Sequence, residues 1–193
     1  MKPLIITISI VLLLGSSAFA MDDSDTSRPP RLGWVNFGGG FGSSRAWLAF
    51  TGVASYSTTV NGGDNLLSFR YGYATESVFS LLGGHTPEET IWDLGALYGA
   101  ISKRRFGFVS AAAGLAVVGG VKRGAFLRRE GGWFSIRDVY EVRHFHTVGM
   151  PLEAQAFFTP LPFFGLGLEL YANLNPVRSY KGLNFCLQFG RLR

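Results

Sequence analysis

The chain has 193 residues, of which 47% are hydrophobic, 15% aromatic and only 16% charged, with 26 glycines, a single cysteine and a formal net charge of +5. Such a composition excludes a disordered chain, which needs more charge and less apolar surface. One cysteine excludes an intrachain disulfide framework and a cysteine-based zinc site, and glycine without a period of three serves turns and close packing instead of a collagen-like rod.

In chain order, Met1-Lys2 is a short basic start. Pro3 to Leu14 is apolar, Gly15-Ser16-Ser17 follows, and Ala18-Phe19-Ala20 puts small residues at both key positions of a cleavage site. This order predicts a secretory signal over residues 1–20. The apolar run is too short for a spanning helix, which needs about 20 apolar residues. Residues 21–31 are acidic and contain proline, and read as a disordered lead-in. Residues 32–193 form the single remaining domain, and no further segment is long and apolar enough for a spanning helix.

What recurs in that domain is alternation with a period of two, the signature of strands with two unlike faces. Val35, Phe37 and Phe41 alternate with Trp34, Asn36, Gly38 and Gly40. Arg45 to Ser57 has a mixed pattern. Leu67, Phe69, Tyr71 and Tyr73 alternate with Ser68, Arg70, Gly72 and Ala74. Ile91 to Ile101 fits either a strand or one face of a helix, and Gly95 and Gly99 favour the strand. Thr86-Pro87-Glu88-Glu89 before it resembles a helix start, which predicts a short helical turn. Phe108 to Val121 is apolar on both faces. Val148 to Phe158, Phe164 to Leu174 and Leu183 to Phe189 alternate cleanly, with Glu153, Gln155, Glu169 and Gln188 on the small or polar face.

That makes eight strands. The third and fifth connections, Thr75–Thr90 and Lys122–Thr147, are the longest and fall at the same end of a meander. The short even-numbered connections, one carrying the hairpin signal Asn61-Gly62-Gly63-Asp64, fall at the other. An eight-stranded antiparallel up-and-down transmembrane β-barrel has this asymmetry. Aromatic residues gather at both ends: Phe106, Phe108, Phe157, Phe158, Phe163, Phe164 and Phe189 at the short-turn rim, and Trp47, Tyr71, Tyr73, Trp92 and Tyr180 at the other. They read as two interfacial belts. A soluble barrel would leave Asn36, Arg70, Glu153, Gln155, Glu169 and Gln188 as a sparse polar cover.

Val148-Gly-Met-Pro-Leu-Glu-Ala-Gln155, Phe164-Gly-Leu-Gly-Leu168, Asn173-Leu-Asn-Pro176, Leu187-Gln-Phe-Gly-Arg-Leu-Arg193 and Gly107-Phe-Val-Ser-Ala-Ala-Ala-Gly114 resemble a family of small outer-membrane β-barrel proteins of Gram-negative bacteria. The resemblance covers about half of the chain beyond the signal. It implies an architecture, an outer-membrane location, and lipid and barrel-assembly machinery as partners, with no catalytic residue to carry over. Chains of this kind commonly end on an aromatic residue. Here Phe189 is followed by Gly190, Arg191, Leu192 and Arg193.

The sequence names no specific activity. The expected role is structural or surface-binding, with the ligand undetermined; a lipid-modifying barrel enzyme and a small passive or hydrophobic-solute channel are the alternatives. Lys122 to Arg143 holds six basic residues against Glu130, Asp138 and Glu141, and suits anionic headgroups better than nucleic acid in an exported chain. His144 and His146 share a face if extended, yet two ligands with only Asp138 or Glu141 to complete them do not make a metal site. His85, Ser110 and Glu169 are triad residue types that nothing in the sequence brings together. Gly38-Gly39-Gly40-Phe41-Gly42 lacks the Lys and the helix of a phosphate loop. No catalytic residue, cofactor or metal is expected. Arg70, Glu153 and Glu169 are expected to meet inside the barrel, because a charge in a narrow lumen needs a partner.

Overall fold

The computed structural model describes residues 31–44, 47–60, 63–76, 83–132 and 135–193. The expected signal and all of the lead-in except Arg31 lie outside the described residues. Nine strands form in chain order: β1 Gly33–Ser44, β2 Trp47–Val60, β3 Asn65–Glu76, β4 Gly83–Thr86, β5 Thr90–Arg104, β6 Gly107–Gly132, β7 Ser135–Leu161, β8 Phe164–Leu174 and β9 Tyr180–Arg191. All but β4 pair antiparallel in the order β7-β6-β5-β3-β2-β1-β9-β8, and a β7–β8 pairing closes the ring. Closure leaves the barrel wall without an edge, the condition for strands to cross a bilayer.

The period-two pattern decides what each face meets. Leu168, Leu170, Leu183, Phe185 and Leu187 point outward and are exposed, whereas Glu169, Asn184, Cys186 and Gln188 between them are buried inside. The glycines of β1 sit where the wall is tight: a Cβ at Gly40 would lie 2.0 Å from the Leu183 carbonyl oxygen, and one at Gly38 2.3 Å from Cys186 Sγ.

Two expectations change and one holds. Lys122–Thr147 is not an open loop: β6 and β7 continue past the barrel as one hairpin, in register from Lys122↔Arg143 to Gly132↔Ser135 with bulges between Arg123 and Arg128. The Thr86–Glu89 segment forms no helical turn, because Gly83–Thr86 is drawn into parallel pairing with Ile136–Val139. Ile91–Ile101 is strand throughout, paired to β3 from Thr75↔Thr90 to Asn65↔Ala100. The belts also lose members. Phe108, Phe157 and Tyr180 are buried inside the barrel, since a narrow lumen must be filled with side chains. Phe106, Phe158, Phe163, Phe189 and Tyr73 do face outward and are exposed.

The filling is layered. At the short-turn end Trp34, Leu66, Ile101, Phe108, Phe157 and Leu192 form an apolar floor. Toward the other end Ile91, Ala116, Val118, Phe145, Tyr171 and Tyr180 form a second apolar layer. Polar side chains lie between the two. Gly190 makes the floor possible: at φ +151° a Cβ there would lie 2.3 Å from the Gly33 carbonyl oxygen. Beyond it Leu192 N–H donates to the Pro162 carbonyl, and the Leu192 side chain turns in beneath Trp34.

Candidate functional site

Arg70, on the inward face of β3, is the centre of the middle layer. Its guanidinium lies 3.8 Å from Glu153 Oε2, 3.8 Å from Glu169 Oε1 and 4.0 Å from Asp93 Oδ1, with all four side chains removed from solvent. It also sits over the Tyr171 ring at 5.0 Å. The structure therefore brings together Arg70, Glu153 and Glu169, and adds Asp93, which the pattern of β5 conceals. Neutral amides hold the carboxylates. Asn36 Nδ2 donates to Glu169 at 3.1 Å, and Gln155 Nε2 donates to Glu153 at 2.7 Å. Asp93 accepts from Asn173 Nδ2 at 2.9 Å and from the Tyr180 hydroxyl.

A second ionic cluster closes the outer mouth. Arg123 donates from Nη2 to Glu76 at 2.7 Å and from its backbone N–H to Glu89 at 2.9 Å. Arg178 pairs with Glu89 from the β8–β9 turn. Asn175 organises that turn: its Oδ1 accepts from the Arg178 N–H, and its Nδ2 donates to the Arg178 carbonyl and to Asn173 Oδ1. A continuous line of polar contacts thus runs from the mouth through Asn173 and Asp93 to Arg70. Burial raises the Glu89 carboxyl, but the Arg123 N–H and the Arg178 guanidinium outweigh it and hold Glu89 below the ordinary carboxylate range.

Past this cap the β6–β7 arm stands outside the barrel. Arg128 pairs with Glu130, Arg129 with Asp138 and Arg143 with Glu141, all largely exposed on the basic side. Phe126, Leu127 and Val142 are exposed beside them. Bulges and charged residues along the arm discourage its free edges from pairing with another chain. Asp138 and Glu141 are thus engaged by arginines, while His146 packs its ring 5.9 Å from Trp92 on the outer wall. Among the described residues no group of His, Cys, Asp or Glu is arranged to hold a metal ion. Ser110 and Glu169 both face the lumen, whereas His85 lies on β4 against the arm. A concavity of about 760 Å³ lies on the outer wall, lined by Phe41, Leu48, Leu170 and Leu183 with Lys181 at its rim.

An apolar outer band, a side-chain-filled lumen and long connections at one end define an eight-stranded barrel of the outer-membrane type. Two solved structures share this fold. Neisserial surface protein A is 11% identical, with a TM-score of 0.57 over 82% of this chain and 96% of that one. Ail, the attachment invasion locus protein of Yersinia pestis, solved in complex with the heparin analogue sucrose octasulfate, is 9% identical, with a TM-score of 0.51 over 83% of this chain and 97% of that one. No family model matches the sequence, and no curated protein is similar to it.

Proposed function

We propose that this protein is an integral outer-membrane barrel with a surface-binding role, carried by the β6–β7 arm and not by the lumen. Side chains fill the lumen in layers: an apolar floor, an ionic layer, an apolar layer and an ionic cap follow one another along its axis. That succession is the observation on which the reading rests, because it leaves the exterior as the place where a ligand meets the protein. The arm is a paired hairpin, so its side chains are held at fixed spacing. Lys122 and Arg137 add positive charge to three arginine–carboxylate pairs. Anionic headgroups and phosphorylated or sulfated sugars of the cell surface suit that pattern. The reading includes no catalysis. A neighbour of the same fold, Ail, has been solved with a sulfated ligand.

The test has two arms. The purified protein in a planar bilayer is expected to give no steady conductance. It is expected to bind phosphorylated lipopolysaccharide more tightly than the dephosphorylated form, and K122Q/R137Q/R143Q is expected to remove the difference. Steady conductance would restore the channel reading, and equal binding of both forms would remove the arm as the site.

A further inference from the structure

The cations at the two ends of the barrel are not in the same situation. At the outer end the described residues supply eight Lys and Arg side chains against six Asp and Glu, and several of these are paired. At the short-turn end the described residues supply Arg31, Lys103, Arg104, Arg105, Arg191 and Arg193 against one acidic side chain, Asp64, and Lys103 donates to the Gly63 carbonyl. Among the described residues the larger charge imbalance therefore lies at the floor.

These cations are positioned relative to the wall. Arg104 and Arg191 fall on the outward faces of β5 and β9, and Arg31 is exposed just before β1. The Arg105 guanidinium lies over the outward Phe106 ring at 5.0 Å. Arg193 is tied across the floor to the carbonyl oxygens of Arg105 and Pro160. At the same rim is a skirt of exposed aromatic rings, Phe106, Phe158, Phe163 and Phe189. Arg104 pairs with Gly107 and Gly107 with Phe158, and Phe106 and Phe163 lie in the turns themselves, so cations and rings share one interfacial level, with Arg191 two residues beyond Phe189. A basic ring set among exposed aromatic residues at the membrane interface fits a phosphate attached to acyl chains. An acidic soluble protein would have no use for the skirt. Arginine can grip such a phosphate with two parallel hydrogen bonds.

We propose that the short-turn rim binds anionic phospholipid of the adjoining leaflet in preference to zwitterionic phospholipid. This rests on the membrane reading above but not on the role of the arm. The test refolds the full chain into bilayers of phosphatidylcholine and phosphatidylglycerol and measures retained lipid by native mass spectrometry after gentle extraction. Phosphatidylglycerol is expected to be enriched about fivefold or more, since one cation near an anionic surface accounts for about that factor. R31Q/R104Q/R105Q is expected to bring the ratio to parity, and K122Q/R137Q/R143Q in the arm to leave it unchanged. In the unaltered protein, raising salt from about 0.05 M to about 0.5 M is expected to erode the enrichment, which keeps the test valid if the rim variant fails to fold. Equal retention of the two lipids, loss of preference in the arm variant, or indifference to salt would overturn the proposal. Failure of the unaltered chain to insert into either bilayer would overturn the membrane reading and the proposal with it.

Discussion

Arg70 and Arg123 each face more than one carboxylate, yet the two clusters live under different rules. Arg70 lies between two apolar layers, with Asp93, Glu153 and Glu169 around it at 3.8–4.0 Å and all four side chains removed from solvent. Arg123 lies in the cap with Glu76 at 2.7 Å, and both side chains keep some solvent contact. In the lumen the alternative to pairing is a bare charge in a low dielectric, so losing one partner is severe. At the mouth the alternative is hydration, so the same chemistry is worth far less. The lesson is that the count of ion pairs says little until the solvent at each is known.

The largest expected effect is at Arg70. Arg70→Met is expected to destabilise the barrel by about 3–5 kcal/mol, because it strands three carboxylates. Combined with Glu153→Gln and Glu169→Gln it should cost less than the sum of the separate losses. Urea unfolding in detergent, read by the heat-modifiable gel shift, checks both. Strict additivity would make the two clusters alike and dissolve the comparison.

Next is the wall. Leu187 is 48% exposed on the lipid side and Gln188 fully buried on the lumen side. Leu187→Arg is expected to cost about 2–4 kcal/mol at the bilayer midplane and less nearer an interface. Leu187→Asn, which carries no charge, should cost less. Equal unfolding midpoints for the two in lipid vesicles would show that Leu187 does not face hydrocarbon.

The cap supplies a smaller, pH-dependent effect. Glu89 is held below its ordinary range in the folded state, so its contribution is present above the unfolded carboxylate pKa and is lost as pH falls through the folded value. Lowering pH from 7 toward 3 should therefore narrow the difference in melting temperature between the unaltered protein and Glu89→Gln. A difference that widens on acidification would contradict the assignment. Smallest of all, Arg128→Ala on the arm should change stability by no more than about 0.5 kcal/mol, because its pair with Glu130 is exposed. A loss above about 1 kcal/mol, measured by thermal melting in detergent, would show that the arm is as dry as the lumen.

How far the sequence carries the reader follows the same boundary between dry and wet. In β3, β8 and β9 one face meets lipid and the other a packed interior, so Phe69 and Arg70, or Leu187 and Gln188, declare their sides by chemistry alone. Arg70, Glu153 and Glu169 were readable for that reason. Asp93 is not: its inward neighbours are Ile91 and Gly95, with Leu97 and Ile101 beyond, because β5 contributes to both apolar layers as well as the polar one, and the alternation blurs. Phe108 and Phe157 were misplaced in the belts for a related cause, since the floor is apolar within as the wall is apolar without. The arm was unreadable as strand because both its faces meet water, where period two has nothing to mark. The cap is not legible because Glu76 and Glu89, Arg123, and Arg178 come from three separate connections, and only the closed ring makes them neighbours.

The floor carries a consequence for the order of events during assembly. Leu192 comes from the far end of the chain, yet it packs in one cluster with Trp34 near the start. The turn of Gly190 that admits it lies against Gly33 and Trp34, so it needs β1 and β9 already side by side. Until β1 and β9 lie side by side, Trp34 and Leu192 cannot complete the floor. The seam between β1 and β9 is therefore also the switch that dries the barrel. The carboxylates around Arg70 lose their solvent only when the last strand lies beside the first.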